Sequence, residues 1–101
     1  MGIAFQPNYT KGVTVTPNGT SQMVTIGFTS ESLVFTNLGS TIVYVAVGNV
    51  AAGNTVVAST TCYPVMVNSQ VSIGKDQDDD TVAFISPDGD GSLHIIQGIG
   101  I

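Results

Sequence analysis

Residues 41–49, TIVYVAVGN, carry apolar side chains on both sides of a single strand. Successive side chains of a strand point to opposite faces. Ile42, Tyr44 and Ala46 therefore share one face, and Val43, Val45 and Val47 share the other. A strand with one wet face alternates apolar and polar residues, and strands greasy on both faces usually belong to sheets wrapped by helical crossovers. No strand–helix alternation follows here. The chain has to cover a second apolar face by other means, and its function turns on what that cover is.

The remaining sequence reads as strand after strand. GVTVT (12–16) directs Val13 and Val15 inward and Thr14 and Thr16 outward. Pro17, Asn18 and Gly19 form a turn signal before QMVTIGF, which sets Val24, Ile26 and Phe28 on one face. LVFTNLGSTIVYVAVG reads as two strands joined by a turn at 37–40, where Gly39 supplies a positive φ. After the loop NVAAGNTVVASTTCYP come PVMVN, QVSIG, TVAFIS and SLHIIQ, with PDGDG (87–91) as a hairpin turn between the last two. Many short strands punctuated by Gly and Pro predict an all-β fold. The expectation is a jelly-roll-like β-sandwich of eight or nine short antiparallel strands. Its inner faces meet each other, so the outer face of 41–49 needs a loop, a terminus or another molecule. Either VAAGNTVVAST (50–60) folds over it, or a partner does. In the second case Val43, Val45 and Val47 are the residues expected to mediate self-association.

A length of 101 residues implies one domain, taken as 12–101, preceded by an N-terminal arm, 1–11. In the arm Ile3 and Phe5 alternate with small or polar positions, and the C-terminal tail ends in Ile99 and Ile101. These four are expected to dock on the domain or on a neighbour. Charged residues are 9% of the chain, against roughly 25% in ordinary domains. Two cations face seven acids, for a net charge of -5. Phosphate backbones and anionic lipid surfaces both require clustered Lys and Arg, so no nucleic acid and no membrane partner is expected. No 18-residue apolar run is present. The first residues show no basic segment followed by an apolar block, so no signal peptide is expected.

Chemistry-bearing residues are sparse. Cys62 and His94 are single of their kind. One histidine cannot assemble a zinc site without other strong ligands, and no G-x-S-x-G nucleophile motif occurs. KDQDDD (75–80) supplies carboxylates that suit Ca²⁺, but lacks the glycine and glutamate positions of an EF-hand loop. It reads more simply as a solvated turn, and Asp88–Gly89 and Asp90–Gly91 read as turn dipeptides. A shared cation becomes plausible only if both acidic turns meet at one end of the sandwich. Tyr9, Tyr44 and Tyr63 would make a sugar-stacking platform if they converged, although tyrosines at the core rim are the commoner case. No cofactor, metal site or catalytic residue is assigned.

The segments LVFTNLGSTIVYVAVGN, YPVMVNSQVSIG and TVAFISPDGDGSLHIIQGIGI resemble small tailed-phage structural proteins of the capsid decoration or cementing type. The likeness spans 33–101. It rests on a strand ending in Thr36-Asn37, an apolar strand ending in Val47-Gly48, Tyr63-Pro64 before the next strand, VAFI, and a closing L-x-I-x-x-G-x-G at Leu93, Ile95, Gly98 and Gly100. KDQDDD departs from the simpler turn expected there. The resemblance implies a homo-oligomer, dimer or trimer, on the exterior of a virion capsid, bound to the major capsid protein and made in the cytoplasm of a bacterial host. Docking would then fall to Ile3, Phe5, Ile99 and Ile101. The rival expectation is a carbohydrate- or host-binding β-module of a phage tail or fibre. A small enzyme is disfavoured by the shortage of catalytic parts.

Overall fold

A computed structural model describes residues 6–7, 12–26, 31–50, 53, 55–75 and 79–99. Among the described residues nine strands run in chain order: β1 (Gln6–Pro7), β2 (Val13–Val15), β3 (Gln22–Thr25), β4 (Ser32–Asn37), β5 (Val43–Gly48), β6 (Tyr63–Val65), β7 (Gln70–Gly74), β8 (Thr81–Ile85) and β9 (Leu93–Ile99). No helix occurs among the described residues. One sheet has the order β1–β9–β4–β7, with β2 also pairing β9; the other has the order β3–β8–β5–β6. Every pairing is antiparallel.

The pairings are nested. β5 pairs β6, β4 pairs β7, β3 pairs β8 and β2 pairs β9. This is one long antiparallel hairpin rolled over itself, and the roll is closed by β4–β9 in the first sheet and β5–β8 in the second. The expected jelly roll is therefore the observed fold. The sandwich core holds Leu33 and Phe35 of β4, Val43 and Val45 of β5, Val82 and Phe84 of β8, and Leu93 and Ile95 of β9. Burying side chains of this size contributes about 1.5–3 kcal/mol each. Gln6 and Pro7 pair with Ile99 and Gly98, so two residues of the expected arm are stitched to the first sheet.

Two turn readings change. PDGDG does not close a hairpin, because β8 and β9 lie in different sheets. It spans from sheet to sheet, with Gly89 at φ 137°. Gly39 does not adopt positive φ; among the described non-glycine residues that conformation belongs to Asn68, at 59°. Gly39 is required for space instead, since a Cβ there would stand 2.7 Å from the Ser92 amide nitrogen.

One end of the sandwich is sewn together by the loops. Asn37, buried at the end of β4, donates from Nδ2 to the Thr41 carbonyl at 2.9 Å and to the Val65 carbonyl at 3.0 Å. Its Oδ1 accepts from the Gly39 amide at 3.0 Å, and its own amide donates to the Ser69 carbonyl. The Ser86 amide donates to the Asn18 carbonyl and the Gly91 amide to the Pro17 carbonyl. Thr41 and Ser86 share a hydroxyl–hydroxyl bond of 2.7 Å. Asn37→Ala removes both side-chain donors and the acceptor, leaving buried backbone groups unpaired at about 1–3 kcal/mol in all. The denaturation midpoint should fall accordingly, and Asn37→Asp, which keeps the acceptor but loses both donors, should also destabilise.

Candidate functional site

The second face of β5 is covered from within the chain. On the outside of the β3–β8–β5–β6 sheet, Ala46 stands opposite Ala83, Tyr44 opposite Ile85 and Gly48 opposite Thr81. The small residues form a trough. Val56 and Ala58 fill it, packing on Ala83 with Ala46 and Ile85 alongside. Gly48 permits this approach, because a Cβ there would lie 2.6 Å from Val56 Cγ2. The covering segment is tied at both ends. The Val50 amide donates to Asp80 Oδ1 at 2.9 Å, and the Ala58 amide donates to Ser21 Oγ at 2.9 Å. Asp80 is buried, and its Oδ1 also accepts from the Thr81 hydroxyl at 3.0 Å.

This arrangement overturns the expectation that Val43, Val45 and Val47 form a self-association surface. They are the inward row of β5. Val43 and Val45 are 0% and 2% exposed in the core, and Val47 packs against it. The larger side chains fill the space between the sheets, and the small ones lie under the loop. Ile3, Phe5 and Ile101 lie outside the described residues, and the backbone of Ile99 pairs with Gln6 at the end of β9.

The cover leaves a groove of ≈ 420 Å³ along β3, lined by Ser21, Met23, Val50, Thr55, Val56 and Val57. Met23 is 57% exposed and Val57 59%. Further exposed apolar residues lie on the loops of the sewn end. Leu38 follows Asn37, and Met66 and Val67 form the turn that Asn37 holds through Val65 and Ser69; Leu38, Met66 and Val67 are all exposed. The exposed Asp88 and Asp90 sit in the 86–92 connection, to which the Leu38 amide donates a hydrogen bond at the Ser92 carbonyl.

The remaining candidates do not converge. Asp80 precedes β8 at Thr81 and Asp88 follows it after Ile85, so these two described carboxylates stand at opposite ends of the strand and do not share a cation site. No cluster of three His, Cys, Asp or Glu among the described residues could hold a metal. His94 faces outward on β9, as its neighbours Leu93 and Ile95 face inward, and its Nδ1 bonds the Thr14 hydroxyl at 3.1 Å. Cys62 adjoins β6 in the other sheet, where its sulfur accepts from the Ser59 amide. Tyr44 stands opposite Pro64, and Tyr63 opposite Val45. The two tyrosines thus belong to opposite faces and make no common platform; Tyr9 lies outside the described residues.

A polar row crosses the outside of the first sheet: Thr14, His94, Thr36 and Gln70 stand in register on four strands. Gln70 Nε2 donates to Thr36 Oγ1 at 2.9 Å. Along the row, Thr14 is bonded to His94 and Thr36 to Gln70.

No family model, no curated protein and no solved structure matches this chain.

The sequence reading missed Met23 and the alanine trough. Its signal was Ala46 and Gly48 on one side of a strand whose other side is all valine. Gly48→Ala should destabilise by about 1–3 kcal/mol through overpacking against Val56. In a Val56→Ala background most of that loss should vanish, since the clashing methyl is gone. Denaturant unfolding of the four proteins measures the coupling, and simple additivity would show that the loop does not rest on Gly48.

Proposed function

We propose that this chain is a virion structural protein of the capsid decoration type, which binds the assembled shell of a tailed phage and stabilises it. The observation that carries the reading is the set of exposed apolar residues Leu38, Met66 and Val67 on loops that Asn37 hydrogen-bonds together. Exposed apolar side chains gathered on adjoining loops are candidates for an interaction site. Jelly rolls recur in viral capsid and lectin domains, but a fold alone does not assign a function. The likeness of residues 33–101 to small phage structural proteins supplies the partner, the major capsid protein. A protein that binds the lattice and not its separated subunits stabilises the lattice by mass action. No step requires catalysis.

The carbohydrate-binding alternative gains nothing from the geometry, because Tyr44 and Tyr63 lie on opposite faces. The apolar end also carries Asp88 and Asp90, which favours a complementary surface with an apolar pocket and a basic rim.

The test is co-sedimentation with assembled shells, set against the same capsid protein in dispersed form. The chain should pellet with shells only. Leu38→Asp combined with Met66→Asp, both at exposed positions, should weaken binding by about tenfold or more with the fold intact. Failure to pellet with shells would overturn the reading. Truncation should stop before β1, because deletion through Tyr9 would also strip the pairing of Gln6 and Pro7 with β9. Removal of residues 1–5 should weaken shell binding while leaving the melting temperature unchanged; equal binding would exclude Ile3 and Phe5 from docking.

A further inference from the structure

An asparagine carboxamide is open to attack by the amide nitrogen of the next residue, and the five-membered ring closes most readily when that residue is glycine, which has no Cβ to restrict the backbone. The attack needs an unengaged amide and a polarised carboxamide. The described asparagines are Asn18, Asn37, Asn49 and Asn68. After three of them the next amide is engaged: Leu38 donates to the Ser92 carbonyl, Val50 to Asp80 Oδ1 and Ser69 to the Met66 carbonyl. Asn37 is also buried, with Nδ2 donating to two carbonyls. Asn18 differs on each count. The amide of Gly19 donates to no group among the described residues. Gly19 is exposed, with open space around it. Asn18 Oδ1 accepts from the Thr20 amide at 2.9 Å. That bond holds the carboxamide along the 18–20 backbone and draws electron density from Cγ. It also steadies the negative charge that attack places on Oδ1. The Asp-Gly pairs at 88–89 and 90–91 lack these features. An ionised carboxylate is a poor electrophile, and the Gly89 and Gly91 amides donate to the Ser86 and Pro17 carbonyls.

We propose that Asn18–Gly19 is a site of spontaneous covalent modification, where the folded protein converts asparagine to isoaspartate and aspartate and so loosens its own loop brace. The Gly19 nitrogen gives its proton to base and attacks Asn18 Cγ. The N–Cγ bond forms, the Cγ–Nδ2 bond breaks, and the amino group takes up a proton and leaves as ammonia. One water then opens the succinimide ring. Addition at Cγ leaves aspartate at 18, and addition at the main-chain carbonyl leaves isoaspartate. No oxidant, reductant or metal enters the balance. The product matters because of what Pro17 and Asn18 hold: their carbonyls accept the Gly91 and Ser86 amides at 2.8 and 2.7 Å. In isoaspartate the main chain runs through Cγ and is one atom longer, and the former main-chain carbonyl becomes a carboxylate. The two braces then cannot both keep their spacing. Either product adds one negative charge to the net -5, beside the connection that carries Asp88 and Asp90. The reaction needs no capsid, so its failure would leave the shell-binding proposal standing, and the reverse holds too.

The experiment is timed incubation of the purified full chain on the alkaline side of neutrality, followed by proteolytic mapping and mass spectrometry. The fragment holding Asn18 should gain the mass of NH replaced by O before fragments holding the other asparagines do. The rate should rise with pH, because the Gly19 nitrogen attacks as its conjugate base. Gly19→Ala, whose Cβ would meet nothing within 4 Å, should keep the circular dichroism spectrum and slow the reaction by about tenfold or more. A synthetic peptide of residues 14–23 separates fold from sequence: Asn18 should react at least as fast in the folded chain, where the Thr20 amide is held on the carboxamide. The isoaspartyl fraction should melt below Asn18→Asp, which adds the charge without lengthening the main chain. An Asn18 that stays intact, that reacts after another asparagine, or that reacts more slowly in the folded chain than in the peptide would overturn the proposal, and equal melting would overturn the loosening of the brace.

Discussion

Ala46 and Ala83 face each other at the middle of an outer sheet surface, and the rest of the cover follows from their size. Alanine is a poor strand residue by propensity. Here it lowers the floor enough for a loop to lie on the sheet, with Gly48 opening the path for Val56. A loop lying on a sheet brings backbone amides with it, and buried amides require acceptors. Two side chains meet that need: Asp80 takes the Val50 amide and Ser21 takes the Ala58 amide. Asp80 is thus buried as a tether for the cover, and need not be read as a remnant of a metal loop. A chain greasy on both sides of β5 can in this way finish its own packing without a partner.

Much of the fold was legible because strand parity is a local property. Leu93 and Ile95 inward with His94 outward, and Val13 and Val15 against Thr14, follow from a period of two, and the structure keeps them. The two sides of β5 were not distinguishable on that basis, since both are apolar. Side-chain volume decides between them: valines fill the gap between sheets, and alanine and glycine lie where backbone descends. Reading the valines as the outward row inverted the candidate site. The tyrosine pair failed for a related reason, because Tyr63 and Pro64 are adjacent and so must face opposite ways, and only the register against β5 shows which of them shares a side with Tyr44.

Turn chemistry was legible as turn chemistry but not as topology. Pro17-Asn18-Gly19 and Asp88-Gly89 look like hairpin signals, yet each carries the chain from one sheet to the other. A turn dipeptide specifies local dihedral angles; strand pairing is set by which faces bury together. In a nested roll, sequence neighbours are mostly in different sheets, and β5 with β6, the pair that are adjacent in sequence, are separated by the long covering loop. The connections then meet one another instead. Pro17 and Asn18 accept from Gly91 and Ser86, and Asn37 ties the β4–β5 turn to the β6–β7 turn. Loops cross-braced in this way make a firm platform, which a binding surface built on loops otherwise lacks.

The low charge content bears on how such a molecule meets others. Burying an ion pair at an interface requires stripping water from both ions, at several kcal/mol per ion after relaxation. Hydroxyls and amides lose less when buried and recover more through a single hydrogen bond. A surface of threonine, serine, asparagine and glutamine is therefore cheap to dehydrate over a large area, and contacts on it are selected by shape and backbone pairing more than by salt bridges. The few carboxylates then act chiefly by position: Asp80 is buried as the acceptor of the Val50 amide, and Asp88 and Asp90 are exposed beyond the other end of β8.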